Sequence, residues 1–300
     1  MKILIIGSKG FIGSNIAAYY SNTDHIVFGC DVVVDYISEN YFLIDSTNSD
    51  FHSVFENKNF DLCINCSGAA SVPDSLSNPL RDFNLNTLHV FKILDAIRLY
   101  QPSCKFVNLS SAAVYGNPAK LPITENQSVK PLSPYGYHKR NAEQILEEFY
   151  HFFGIATCSL RIFSAYGDGL KKQLFWDLYK KAKSGNSFTL YGTGNESRDF
   201  IYINDLLKAI DLAANNSHFK ADIINVANGE EIFIKDAVNI FFTFFNSKIN
   251  YTFSGEERKG DPNNWLADIS RLKAFGYQPS FDLKSGLQKY YTWITTIDAK

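Results

Sequence analysis

Short apolar runs alternate with helical patterns over the first two-thirds of this 300-residue chain, and that alternation limits the folds open to it. The runs read KILII (2–6), HIVFGC (25–30), YFLI (41–44), DLCINC (61–66), KFVNLS (105–110) and ATCSLRIF (156–163). Helical segments lie between them, for example 79–100 and 135–151. In the latter, Ala142, Ile145, Leu146 and Phe149 recur at the spacing of one helical face. Strands that are apolar almost throughout, each followed by a helix, predict a parallel sheet covered on both faces. This is the doubly wound α/β class.

After about residue 165 the rhythm breaks. A basic helix over 171–184 leads into FTLYGTGNESRDFIYINDL, which holds two turn-forming glycines and a helix start near Asn204–Asp205. DIINVANG (222–229) offers one more sheet strand, and 234–246 and 282–296 read as helices. The expected division is a dinucleotide-binding sheet domain over 1–165, with segments near 199–229 returning to it, and an interleaved, mainly substrate-binding lobe over 166–300.

The formal net charge of -2 gives no reason to expect a nucleic-acid or anionic-membrane partner. No apolar run approaches the roughly 20 residues of a membrane span. The opening MKILIIGSKGFIG has too short an apolar run before Gly7 for a signal core of about 7–15 residues, and reads as a first strand. Among five cysteines, Cys63 and Cys66 form a CxxC, but residues three apart on a strand point to opposite faces. With no second CxxC or histidine pair, no metal set is expected. Unpaired strand cysteines suit a reducing compartment, so the expected location is the cytoplasm.

GSKGFIG (7–13) sets Gly7, Gly10 and Gly13 between a strand and a helix, where glycines permit a tight turn and close backbone approach to a pyrophosphate. The second strand ends at Asp31, roughly 20 residues on, where a carboxylate accepts from an adenosine ribose. It would repel a 2′-phosphate, and the following VVV offers no arginine to receive one, so NAD is favoured over NADP. Lys9, inside the turn, is read as a solvated loop residue, although its ammonium could meet a phosphate.

SPYGYHK (133–139) places Tyr135 and Lys139 on one helical face. A phenol titrates near 10, and a neighbouring ammonium is expected to lower that value and poise the group for proton exchange with an alcohol or carbonyl. The lysine can also bond a nicotinamide ribose. Tyr137 points elsewhere, and packing is its expected role. NLSSAAVYG (108–116) sits at the carboxyl end of the fifth strand, so Ser110 or Ser111 can face the same cavity and hold the reacting oxygen.

On these motifs the chain resembles an extended short-chain dehydrogenase/reductase, the family of NAD-dependent nucleotide-sugar epimerases and dehydratases. The matching stretches run nearly end to end: GSKGFIG, Asp31, LPITENQSVKPLSPYGYHK, LRIFSAYGDG, ESRDFIYINDL and RKGDPNNWLADISRLKAFGYQP. The resemblance implies a catalytic triad of Ser111, Tyr135 and Lys139, with Ser111 preferred because it directly precedes AAVYG. It implies that Gly7, Gly10, Phe11, Ile12, Gly13, Asp31, Asp45, Ser46, Gly68, Asn86 and Phe163 line the dinucleotide together with Tyr135 and Lys139. Arg198, Arg258 and Asp261 match positions that hold the diphosphate and ribose of a nucleotide-sugar substrate, and guanidinium groups suit phosphates. Ser164 stands where many relatives carry an asparagine that meets the diphosphate. Trp265 matches a position that gates the group at sugar C2 in UDP-hexose epimerases, where its bulk argues for a free 2-hydroxyl.

Dehydratases of the family usually carry acidic residues just after the Ser/Thr, where this chain has Ala112 and Ala113. SSAAVYG resembles the 4-epimerases and also some 4-ketosugar reductases. The expected activity is NAD-dependent C4 epimerisation of a nucleotide-diphosphate sugar through a 4-keto intermediate. The alternatives are an NAD(P)H-dependent 4-ketosugar reductase and a non-catalytic dinucleotide sensor, which would typically lack the tyrosine–lysine pair. Relatives are commonly homodimers through helices corresponding to 79–100 and 135–151, so the resemblance implies a homodimer.

Overall fold

The computed structural model describes residues 1–256, 260 and 262–299. β1 (Lys2–Ile6) leads through the glycine turn into α1 (Phe11–Ser21), β2 (Ile26–Asp31) and β3 (Tyr41–Leu43). Then come α2 (His52–Glu56), β4 (Leu62–Asn65), α3 (Val72–Ser77) and a long helical run. That run is α4 (Pro79–Phe83), a π-helical turn (Asn84–Leu88) and α5 (His89–Tyr100). β5 (Lys105–Ser111), α6 (Pro134–Phe153) and β6 (Thr157–Ile162) complete the alternation.

The remaining chain gives β7 (Ser164–Tyr166), α7 (Gln173–Ser184), β8 (Ser187–Leu190), β9 (Ser197–Arg198) and β10 (Phe200–Tyr202). α8 (Ile203–Asn216), β11 (Lys220–Val226), β12 (Ile232–Phe233), α9 (Ile234–Phe242), β13 (Asn250–Phe253), α10 (Ser270–Ala274) and α11 (Leu283–Asp298) follow. The six expected apolar runs are all strands, and the run DIINVANG falls on the end of a seventh. Together they form one sheet in the order β11-β6-β5-β4-β1-β2-β3, with every neighbouring pair parallel.

Successive side chains on a strand face opposite ways, and here both ways are covered. Ile3 and Ile5 join a core with Ile16 and Tyr20 of α1 and Leu206 and Ile210 of α8. Leu4 and Ile6 join a second core with Ile93, Leu94 and Ile97 of α5 and Leu146 and Phe149 of α6. Each fully buried aliphatic side chain contributes roughly 1.5–3 kcal/mol, so the continuous apolar runs are the main source of sheet stability. The sheet order reverses between β1 and β4. That switch point opens a crevice at the carboxyl ends of the strands.

The lobe is stitched by three short ladders: β7 with β10 and β8 with β13, both parallel, and β9 with β12, antiparallel. An aromatic cluster fills it, including Phe175, Phe200, Phe241, Phe245 and Tyr291. No helix among the described residues is long and apolar enough to cross a membrane.

Candidate active site

A cleft of about 860 Å³ runs from the switch point into the lobe. Its floor begins at the glycine turn. Gly7 adopts φ +78°, and a Cβ at Gly13 would lie 2.0 Å from the Gly7 carbonyl oxygen, so neither position accepts a side chain without displacing backbone. The Gly7 N–H donates to the Cys30 carbonyl at 2.8 Å, tying the turn to β2. α1 starts at Gly10 with no side chain capping its first N–H groups, and Gly10, Phe11 and Ile12 line the cleft. An uncapped helix start on a glycine turn suits an anion.

Across the cleft floor is Gly68, whose Cβ would lie 2.5 Å from Asn86 Oδ1. Asn86 is buried in the π-helical turn, and neither polar atom of its amide has a partner within the protein. A buried amide left unpaired calls for a ligand or water. These features fit a dinucleotide. Gly7 and Gly13 are not in the cleft wall, and Asp31 at the end of β2 and Asp45 and Ser46 past β3 stand outside it. Asp45 is held by the N–H groups of Thr47 and Asn48, which lower its pKa, the Asn48 bond first.

Ser111, Tyr135 and Lys139 converge on the centre of the cleft. Ser111 ends β5, and its Oγ accepts from the Ala113 N–H at 3.1 Å. Tyr135 stands in the first turn of α6, where Ser133 caps Gly136 N–H at 3.2 Å and Pro134 pre-sets the helical φ. Gly136 allows that turn to press on the Ala112–Val114 loop, since a Cβ there would lie 2.6 Å from the Ala113 carbonyl oxygen. A side-chain hydrogen bond joins Ser111 to the Tyr135 phenol. Of the two serines, Ser110 is otherwise engaged: its hydroxyl donates to Glu143 Oε1 at 2.6 Å.

The titration of this group differs from the sequence reading. Burial pushes the Tyr135 phenol up to about 12, and the Asp82 charge adds to the rise, while the Ser111 bond opposes it. Lys139 Nζ lies 6.0 Å from the Tyr135 ring centre and donates to the Leu109 carbonyl at 2.9 Å. Burial in turn brings Lys139 down to about 8, partly opposed by Asp82, Cys66 and Glu143. Tyr137 also departs from its expected packing role: it is exposed on α6.

The lobe supplies the opposite wall. Ser164, Arg198 and Trp265 line it, with Phe163 between sheet and lobe. Arg198 Nη1 donates to the carbonyls of Ser197 (2.8 Å) and Asn263 (3.2 Å), and its guanidinium lies 5.3 Å from the Trp265 ring centre. Trp265 is buried; its Nε1 donates to the Gly116 carbonyl at 3.2 Å and its ring meets Phe163 edge-on. The neighbouring Asp199 is fully buried and accepts from the N–H groups of Asn228 (2.9 Å), Gly229 (3.0 Å) and Ala267 (3.1 Å). Burial raises its carboxyl to about 7 against those bonds. Arg258 and Asp261 lie outside the described residues.

Sequence reasoning missed the support behind the serines. Arg161 grips Glu143 through two bonds (3.0 and 2.7 Å) and donates to the Tyr115 hydroxyl at 2.8 Å, which in turn donates to Asn225 of β11. Glu143 is one helical turn past Lys139, a charge on a face shared with Ala142 and Leu146, and that spacing could have revealed it. Gln173, at φ +69° in the cleft wall, carries no such signal.

Residues 3–227 match the family described as NAD dependent epimerase/dehydratase, and the chain belongs to that family. Its membership makes it an NAD-dependent enzyme of the epimerase/dehydratase type. A Methanocaldococcus jannaschii protein provisionally named UDP-glucose 4-epimerase is 29% identical over 97% of this chain and 98% of its own length. The solved UDP-N-acetylglucosamine 4-epimerase of Methanobrevibacter ruminantium, in complex with UDP-N-acetylmuramic acid, is 27% identical. It superposes with a TM-score of 0.88 over 99% of this chain and 98% of that one. The UDP-glucuronic acid 4-epimerase of Bacillus cereus, solved with UDP-glucuronic acid and NAD, gives 0.89 at 25% identity over 99% and 100%.

Proposed function

We propose that this chain epimerises a nucleotide-diphosphate sugar at C4 through a 4-keto intermediate, with Tyr135 as the acid/base. The convergence of Ser111, Tyr135 and Lys139 on a cleft shared by an uncapped helix start and by Arg198 carries this reading. Ser111 holds the sugar 4-oxygen by hydrogen bond. Tyr135 takes the proton from that oxygen and later returns it. NAD, when bound, would supply the hydride acceptor and donor and a positive charge. Lys139 would hold the nicotinamide ribose and, while protonated, would favour the phenolate. Burial makes the phenol a poor base, and positive charge brought into the site would favour its ionised form.

Gly7, Gly10, Phe11, Ile12 and Gly13 form the pyrophosphate cradle in this reading. Asp31 would accept from the adenosine ribose, and Asp45, Ser46, Gly68, Asn86 and Phe163 would line the dinucleotide. Arg198 grips the substrate diphosphate, Ser164 lies beside it, and Trp265 limits the group at C2. The dinucleotide region is 1–165 with returning segments near 199–229, and 166–300 mainly holds substrate. The active form is a homodimer through the helical run 79–100 and α6, supported by exposed Phe91, Tyr137 and Phe152 on those helices.

The test is NMR of the purified protein with UDP-glucose, UDP-glucuronic acid and UDP-N-acetylglucosamine, without added cofactor. C4 interconversion of one of them is expected. Absence of all three, together with NAD(P)H oxidation on a 4-ketosugar nucleotide, would instead establish the reductase.

A further inference from the structure

GSKGFIG carries one cationic side chain, Lys9. Its backbone N–H donates to Asp31 Oδ2 at 2.8 Å, and Val32 N–H donates to Asp31 Oδ1 at 2.7 Å, so Lys9 stands beside the carboxylate that ends β2. Its ammonium is already engaged: Nζ meets Asp35 Oδ2 at 2.5 Å and lies 5.0 Å from the Tyr41 ring centre. Asp35 is in turn fixed by the N–H groups of Ile37 (2.8 Å) and Ser38 (3.2 Å) and by the Ser38 hydroxyl (2.9 Å). The Lys9 bond first, and these bonds after it, hold the Asp35 carboxyl well below the usual carboxylate range. An exposed ion pair adds little to stability. Its consequence here is electrostatic: the cation of the glycine turn is neutralised by a carboxylate whose position is set by its own loop.

We propose that Asp35 is a cofactor-specificity residue: by engaging Lys9 it occupies the cation that would receive a 2′-phosphate, and so sets this chain for NAD against NADP. The inference rests on the dinucleotide placement proposed above. Asp31 alone repels a 2′-phosphate, but a lysine beside it could cancel that repulsion. Lys9, Asp31 and Asp35 together remain net negative, and a phosphate brings roughly two further negative charges to them. Removing the Asp35 charge leaves Lys9 and Asp31 balanced and the ammonium free to turn toward the phosphate.

The experiment is calorimetric titration of the full chain, freed of bound nucleotide, with NAD and with NADP. Asp35→Asn keeps an acceptor for the Ile37 and Ser38 N–H groups and removes the charge. The ratio of the NADP Kd to the NAD Kd should fall by roughly tenfold, the change expected when one unit charge is lost a few ångströms from a phosphate. Adding Lys9→Gln to that variant should restore the original ratio. An unchanged ratio in folded Asp35→Asn overturns the proposal, as does a shift that survives loss of Lys9. Asp35→Ser, measured the same way, decides the matter if Asp35→Asn does not fold. An unmodified chain that binds neither dinucleotide overturns the cofactor placement and this inference with it.

Discussion

Gly10, Phe11 and Ile12 reach the cleft on the turn and helix start that directly follow a parallel ladder, whereas Arg198 and Trp265 reach it on a ladder of two residues or on loop, braced by side chains. The sheet half carries its chemistry at strand ends and helix starts, positions set by main-chain hydrogen bonding. The lobe depends on an aromatic cluster and on one buried carboxylate, Asp199, that gathers backbone N–H groups from two separate segments. A fixed backbone suits a cofactor shared by a family. Walls held by side chains can change with the substrate.

The comparison breaks first at the lobe. Phe241 is fully buried and touches Phe175, Phe245 and Tyr291. Phe241→Ala should cost about 3–5 kcal/mol in thermal or denaturant unfolding, while calorimetry still detects NAD at the sheet half. Equal loss of NAD binding would show that the two regions are not separable in this sense.

Next in size is the acid/base group. Tyr135→Phe keeps the ring and removes the proton, so turnover should fall by at least about 10²-fold. Near-normal turnover would remove Tyr135 from the mechanism.

The sheet half also predicts a pH dependence. Burial lowers Lys139 to about 8, so above that pH the ammonium is lost and turnover should fall by about tenfold per pH unit. Because the folded pKa lies below the ordinary lysine value of 10.5, the unfolded chain binds the extra proton between the two, and this group's burial penalty on stability fades as pH rises through that window. Lys139→Arg should move the basic limb upward; a limb that stays in place would assign it to another group.

The smallest expected effect is in selectivity. Trp265→Ser should raise the kcat/KM of UDP-N-acetylglucosamine relative to UDP-glucose several-fold. If the unmodified protein already uses both equally, Trp265 does not gate C2.

What was legible in the sequence follows the same division. β1, β2 and β4 announce themselves because apolar residues dominate short runs, and β5 and β6 because buried apolar residues recur through them. Tyr135, Lys139 and the glycine turn are legible because their spacing is local. The lobe ladders were not, because two- to four-residue strands pair across long separations and leave no periodicity: β9 meets β12, and β8 meets β13. The direction of the Tyr135 shift was missed for a related reason. Spacing places Lys139 on the same face, but only the folded chain shows that it is turned to the Leu109 carbonyl and that burial dominates. The partner of Lys9 was hidden too, since nothing local links a turn lysine to Asp35.

The most direct test of the central claim follows the hydrogen at C4. The nucleotide sugar that turns over would be prepared with deuterium at C4 and incubated with purified protein in ordinary water, without added cofactor, and the product read by NMR. Epimerisation through a 4-keto intermediate predicts inverted C4 with the deuterium retained there. Deuterium lost to solvent, or inversion with the label absent from C4, would contradict it.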